Sequence, residues 1–123
     1  MIKTVLIIDD DDIFRTGLVK ILQLEHYEVY AARDGEVGLK VFEDKEPDLV
    51  ITDILMPNKE GIETIIEIRE KVPDQKILAM SGGGRGSPRE YLEFARDFGA
   101  GRILQKPFKM DHLLKLINEL KDD

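Results

Sequence analysis

Two apolar runs, residues 5–8 and 49–52, each end in aspartate: Asp9 to Asp12 follow the first and Asp53 the second. If both runs are neighbouring strands, Asp9, Asp10 and Asp53 meet in one crevice although more than forty residues separate them. Carboxylates at close range resist joint ionisation unless a cation compensates them. Mg²⁺ suits that task because it accepts a few carboxylates, keeps several waters and bridges to phosphoryl oxygens, with Mn²⁺ as the alternative. Lys106 stands just before Pro107, where the last apolar run stops, and its ammonium would pair with a carboxylate at rest or with a phosphoryl oxygen. Ser81 ends another apolar run and offers a hydroxyl to the same oxygen. Together these groups describe an electrostatic clamp for phosphoryl transfer, with a carboxylate as nucleophile.

Such a site requires a scaffold that gathers strand ends. Short apolar runs alternate with helix-period segments along all 123 residues, the pattern of βα units around a parallel sheet. The strands are expected at 4–8, 28–32, 49–52, 76–80 and 102–105, with near-continuous apolar runs in the first, third and fourth, as for strands covered on both faces. Helical stripes are formed by Phe14, Leu18, Ile21 and Leu22, by Ile62, Ile65 and Ile66, and by Leu113, Ile117 and Leu120. Ser87, Pro88 and Glu90 read as the capped start of a fourth helix, and Gly99 as its stop. Gly35 and Gly61 mark the loops opening the second and third helices, and Pro47 and Pro73 punctuate the loops after them. The expected fold is α/β, a three-layer α/β/α sandwich of flavodoxin-like (βα)5 type with parallel sheet order 2-1-3-4-5. In that topology ligands bind outside the carboxyl ends of the strands, at the switch point between strands one and three.

The length predicts a single domain over residues 1–123. Without cysteine there is neither a disulfide nor a thiolate metal site. The first apolar run is far shorter than the roughly 20 residues that span a bilayer, and a secretory cleavage pattern is missing, so the expected location is cytoplasmic. A net charge of −7 disfavours direct contact with nucleic acid or anionic membranes.

At the level of motifs the chain resembles the response-regulator receiver domains of two-component phosphorelay signalling. The matching stretches are Val5-Leu-Ile-Ile-Asp9-Asp10, Asp53-Ile-Leu-Met-Pro57, Met80-Ser81-Gly82 and Lys106-Pro107-Phe108, in order at the ends of successive strands. The resemblance covers nearly the whole chain. It implies a phosphoprotein rather than an enzyme, a switch that assists its own phosphorylation and dephosphorylation. Asp53 would be the phosphoacceptor, Asp10 a direct Mg²⁺ ligand, Asp9 a ligand mostly through water, and the Leu55 backbone carbonyl the remaining protein ligand. Ser81 and Lys106 would bind the phosphoryl group. The implied donor is a phosphohistidine on a sensor histidine kinase or phosphotransfer protein, and the output is an unidentified downstream protein that reads the surface of helix four, strand five and helix five. The implied assembly is a monomer or a phosphorylation-linked dimer. The chain stops after the fifth helix, which reads as a stand-alone receiver or a segment of a longer regulator, with Met1 favouring the former.

Three residues or segments depart from the family pattern. Ile103 stands three positions before Lys106, where the family often has an aromatic residue whose rotamer reports phosphorylation. The segment from Ser81 to Gly99 is about three residues longer than in many relatives, and Gly82, Gly83, Gly84 and Gly86 make its start glycine-rich. Lacking the Gly-Lys-Ser/Thr ending of a P-loop, these glycines read as a hinge. Leu55 is apolar where some relatives carry a polar residue near the attacking water.

Asp11 and Asp12 are expected to serve the start of a helix, and His26 and His112 to lie on the surface. Asp9 with Asp11, or Asp10 with Asp12, also fits the Asp-x-Asp of aspartate-based phosphatases, although such enzymes generally need more chain. An interaction module that keeps the fold but signals without phosphorylation is the third reading.

Overall fold

In the computed structural model, residues 1–54, 61–81, 93, 95–97 and 99–121 are described. Five strands, β1 (Thr4–Ile8), β2 (Glu28–Ala32), β3 (Leu49–Asp53), β4 (Lys76–Ser81) and β5 (Arg102–Gln105), form one parallel sheet in the order β2-β1-β3-β4-β5. The described helices are α1 (Asp12–Leu24), α2 (Gly35–Lys45), α3 (Gly61–Lys71) and α4 (Met110–Lys121), the last being the fifth helix expected from sequence. Glu93 and Ala95 to Asp97 are helical as well. Ser87, Pro88 and Glu90 lie outside the described residues, as do Gly82, Gly83, Gly84 and Gly86 of the expected hinge.

Because successive side chains of a strand point to opposite faces, each strand feeds two cores. Val5, Ile7, Leu49, Ile51, Leu78, Met80 and Leu104 pack with Leu18 and Leu22 of α1 and with Leu113, Leu116, Ile117 and Leu120 of α4. Leu6, Ile8, Val50, Ile77 and Ala79 pack on the other side with Phe42 of α2, Ile65 and Ile68 of α3, Ala95 and Ala100. The result is the three-layer flavodoxin-like sandwich expected from the pattern of runs.

Local chemistry explains the helix boundaries nearest the strand ends. Asp11 caps α1, its carboxylate accepting from the backbone N–H groups of Ile13 and Phe14, and Asp34 caps α2 by accepting from Val37. Gly35 and Gly61 are the first residues of α2 and α3 rather than loop residues before them. On α3 the buried face is Gly61, Thr64, Ile65 and Ile68, so Ile66 of the expected stripe is only half-buried. These buried positions follow the i, i+3, i+4, i+7 spacing of one helix face. Gly99 has φ +128°, and its N–H donates to the Arg96 carbonyl, in keeping with a helix stop there. Among the described residues no helix is long and apolar enough to cross a membrane.

Candidate phosphoacceptor and metal site

The carboxyl ends of β1, β3, β4 and β5 converge on one acidic cluster. Asp9 follows β1 directly, and its N–H donates to the Ala32 carbonyl, prolonging the pairing with β2. Asp53 is the last residue of β3, in register with Met80 of β4, and the pairing continues through the Ile54 N–H to the Met80 carbonyl. One carboxylate oxygen each from Asp9, Asp10 and Asp53 lies within 4.8 Å of the others. Asp9 is fully buried and Asp53 nearly so, while Asp10 is exposed.

Lys106 enters this cluster from the end of β5. Its Nζ donates to Asp9 Oδ2 at 2.7 Å and to Asp53 Oδ2 at 3.0 Å. Its backbone N–H donates to the Ser81 carbonyl at 2.8 Å, which ties the ends of β4 and β5 together beside the site. The peptide from Lys106 to Pro107 is cis. The Ser81 side chain is fully buried, and its hydroxyl has no hydrogen-bond partner among the described residues. A buried hydroxyl costs free energy unless it is hydrogen-bonded, so the Ser81 hydroxyl is suited to donate to a group bound beside Lys106.

Burial pushes the Asp9 carboxyl above the ordinary carboxylate range, against the hydrogen bonds it accepts from Lys106 and from the Asp11 backbone. For Lys106 burial pulls in the opposite direction, but its hydrogen bond to Asp9 and the adjacent Asp53 charge outweigh it and raise the ammonium's pKa. Lys106 therefore stays charged at neutral pH. Three carboxylates facing one ammonium leave a formal surplus of two negative charges. An all-oxygen donor set with that surplus fits a hard divalent cation such as Mg²⁺.

Gly61 sets how closely α3 approaches the end of β3. A Cβ at this position would lie 2.1 Å from the Asp53 carbonyl oxygen and 2.4 Å from the Ile54 Cα, so any side chain here collides with backbone. The Gly61 N–H donates to the Ile54 carbonyl, and the Thr52 hydroxyl donates to the Asp53 carbonyl.

The structure brings Asp9, Asp10, Asp53 and Lys106 together and sets Ser81 beside Lys106 through the backbone. Leu55 lies outside the described residues. Asp11 is occupied as the α1 cap, and Asp12 pairs with Arg15, so the Asp-x-Asp spacing of the phosphatase reading does not yield two free carboxylates. His26 and His112 are exposed, as expected. Sequence reasoning missed two contributors on α1. Arg15 donates to the Asp9 carbonyl at 2.7 Å, bracing the turn that carries Asp9 and Asp10. The Phe14 ring lies under the Lys106 ammonium, 4.0 Å from Nζ to the ring centroid. The only signal for either was its place in the first turn of a helix that begins at the acidic loop.

A family model described as the response regulator receiver domain matches residues 5–118, and the chain belongs to that family. It is a receiver domain of two-component signalling. The transcriptional regulatory protein PdtaR of Mycobacterium tuberculosis (strain ATCC 25618 / H37Rv) is 36% identical over 118 residues, covering 94% of this chain and 55% of PdtaR. Among solved structures, a putative response regulator from Chloroflexus aurantiacus J-10-fl aligns over 100% of both chains with a TM-score of 0.90 and 27% identity. The chemotaxis protein CheY4 of Vibrio cholerae aligns over 98% of this chain and 99% of its own, with a TM-score of 0.86 and 29% identity. The chain spans about half the length, or less, of the first curated relatives it matches. Receiver domains bind Mg²⁺ at an acidic pocket, and Asp9, Asp10 and Asp53 form such a cluster here.

Proposed function

We propose that residues 1–123 act as a single receiver domain that accepts a phosphoryl group on Asp53 from a phosphohistidine and uses the modified state to regulate a partner protein. The observation that carries this reading is the bridge of Lys106 between Asp9 and Asp53, inside a cluster of three carboxylates that no single ammonium can neutralise.

In this mechanism Asp53 Oδ attacks the phosphorus in line, the phosphorus–nitrogen bond of the donor breaks, and the phosphoryl group stays on Asp53 as an acyl phosphate. Asp9, Asp10 and Asp53 would hold Mg²⁺, with the Leu55 carbonyl as the further ligand the family resemblance implies, and the ion would supply charge neutralisation for the transferring group. Lys106 stays protonated and offers its ammonium to a phosphoryl oxygen, and Ser81 gives its buried hydroxyl to another. Hydrolysis by water releases inorganic phosphate and returns Asp53 to a carboxylate, so the chain is a self-assisting acceptor rather than an enzyme with a separate substrate. The donor is a sensor histidine kinase or phosphotransfer protein in the cytoplasm, and the output partner is a protein. Movement of Ser81 and Lys106 toward the new group would bias the surface after β4 and around β5 and α4. The assembly in this reading is a monomer or a phosphorylation-linked dimer.

Incubation with a small acyl phosphate and Mg²⁺, followed by intact-mass analysis, tests the reading. One phosphoryl adduct is expected on the native chain and none on Asp53→Asn. An unmodified native chain, beside a receiver that is modified under the same conditions, would favour the phosphorylation-independent module instead.

A further inference from the structure

Lys106 meets a third group besides its two carboxylates. Its ammonium sits 4.0 Å from the centroid of Phe14, on the face of a ring in the first turn of α1. A cation this close to an aromatic face is attracted by the ring quadrupole, and more strongly where water is excluded. Phe108, two residues beyond Lys106, meets the same ring edge to face, with centroids 5.9 Å apart and planes at 83°. That geometry is one aromatic pairs favour, and both rings pack against the core shared by α1 and α4. Ile103 faces the opposite core, with α2 and α3, so β5 supplies no ring at that position and the aromatic contact to the ammonium comes from α1.

A lysine side chain has many rotamers, and its charge is useful for phosphoryl transfer only where it is held. Two carboxylates on one side and a ring face on another narrow the ammonium to one place. We infer that Phe14 is a positioning residue for Lys106, holding the ammonium against Asp9 and Asp53 while Phe108 braces the ring. When a phosphoryl group on Asp53 draws Lys106 toward it, the contact with Phe14 changes, and α1 registers the state of the site. The kinetic consequence rests on the phosphoacceptor reading of Asp53, whereas the placement of the ammonium does not.

The two parts are tested separately. Proton–carbon NMR of the metal-free native protein should show the Lys106 ε-methylene protons shifted upfield by the Phe14 ring current, with the shift lost in Phe14→Leu and kept in Phe14→Tyr. Uptake of phosphoryl from a small acyl phosphate should slow about two- to thirtyfold in Phe14→Leu, the full strength of a cation–π contact being the upper bound, and recover in Phe14→Tyr. Mg²⁺ affinity by calorimetry should be the same in all three. An unshifted Lys106 in the native protein overturns the inference without any variant. So does equal slowing of the Leu and Tyr variants, which would make the ring mere packing, or no slowing of either. If the native chain takes up no phosphoryl group, the phosphoacceptor reading fails and the NMR result alone decides the placement.

Discussion

Replacing Lys106 with methionine keeps most of the stem and removes the charge that holds Asp9 and Asp53 together. Contacts at 2.7 and 3.0 Å correspond to a gross Coulomb attraction of roughly 6 kcal/mol each at an effective dielectric of about 20. Desolvation of the ammonium offsets much of this, and breaking a buried pair typically costs about 3–5 kcal/mol because a charge is left unpaired. The Lys106 side chain is still 16% exposed and that of Asp53 11%, which places Lys106→Met at the lower end, about 3 kcal/mol. For a domain of this size that is a fall in Tm of roughly 12 °C in chelator. Removing the ammonium also removes its repulsion of a divalent ion, so Mg²⁺ should bind Lys106→Met on the order of tenfold more tightly and recover part of the lost stability. Thermal unfolding in chelator and across a Mg²⁺ series, with calorimetric titration of both proteins, checks the two effects together. If Lys106→Met is as stable as the native protein in chelator and binds Mg²⁺ no more tightly, the electrostatic account of the cluster is wrong.

Gly61→Ala should destabilise the protein by about 2 kcal/mol or more, because the new methyl meets backbone that must shift, and should slow phosphoryl uptake because that backbone carries Asp53; denaturant unfolding and mass analysis would show both. Asp48 accepts hydrogen bonds from the backbone of Lys3 and Thr4 and from the Thr4 hydroxyl, and these outweigh its burial and hold its carboxyl below the ordinary range. Its contribution is full above the unfolded value of about 3.9 and is lost as pH falls through the lower folded value. Asp48→Asn should therefore lower Tm at neutral pH by an amount worth less than about 1 kcal/mol, given the exposure of the site, and the gap to the native protein should close in strong acid.

The sheet was readable from the sequence because parallel strands covered on both faces write themselves as apolar runs. The sequence pattern ends β3 and β4 one residue short, at Thr52 and Met80, since Asp53 and Ser81 look like the start of loops. Backbone pairing ignores side-chain polarity, so Asp53 pairs with Met80 and Ser81 with Gln105 as strand residues. On α3, Thr64 interrupted the apolar pattern and hid a buried face that includes Ile68. Two left-handed residues, His26 at φ 72° and Glu46 at φ 47°, lie just beyond α1 and α2, where no glycine announced them. At the site, the residues bearing charge or hydroxyl at strand ends could be named in advance, because their chemistry is visible in their type. Phe14, Phe108 and Arg15 could not, since their roles depend on where the first turn of α1 comes to rest against Lys106 and the Asp9 carbonyl.

In the proposed mechanism one carboxylate among several neighbouring ones becomes the acyl phosphate. Hydride reduction of the protein after treatment with an acyl phosphate and Mg²⁺ converts a phosphorylated aspartate to homoserine, which peptide sequencing locates. Homoserine at position 53 alone is the predicted result; homoserine at any of positions 9 to 12, or none in a protein that retains its fold, would contradict the account.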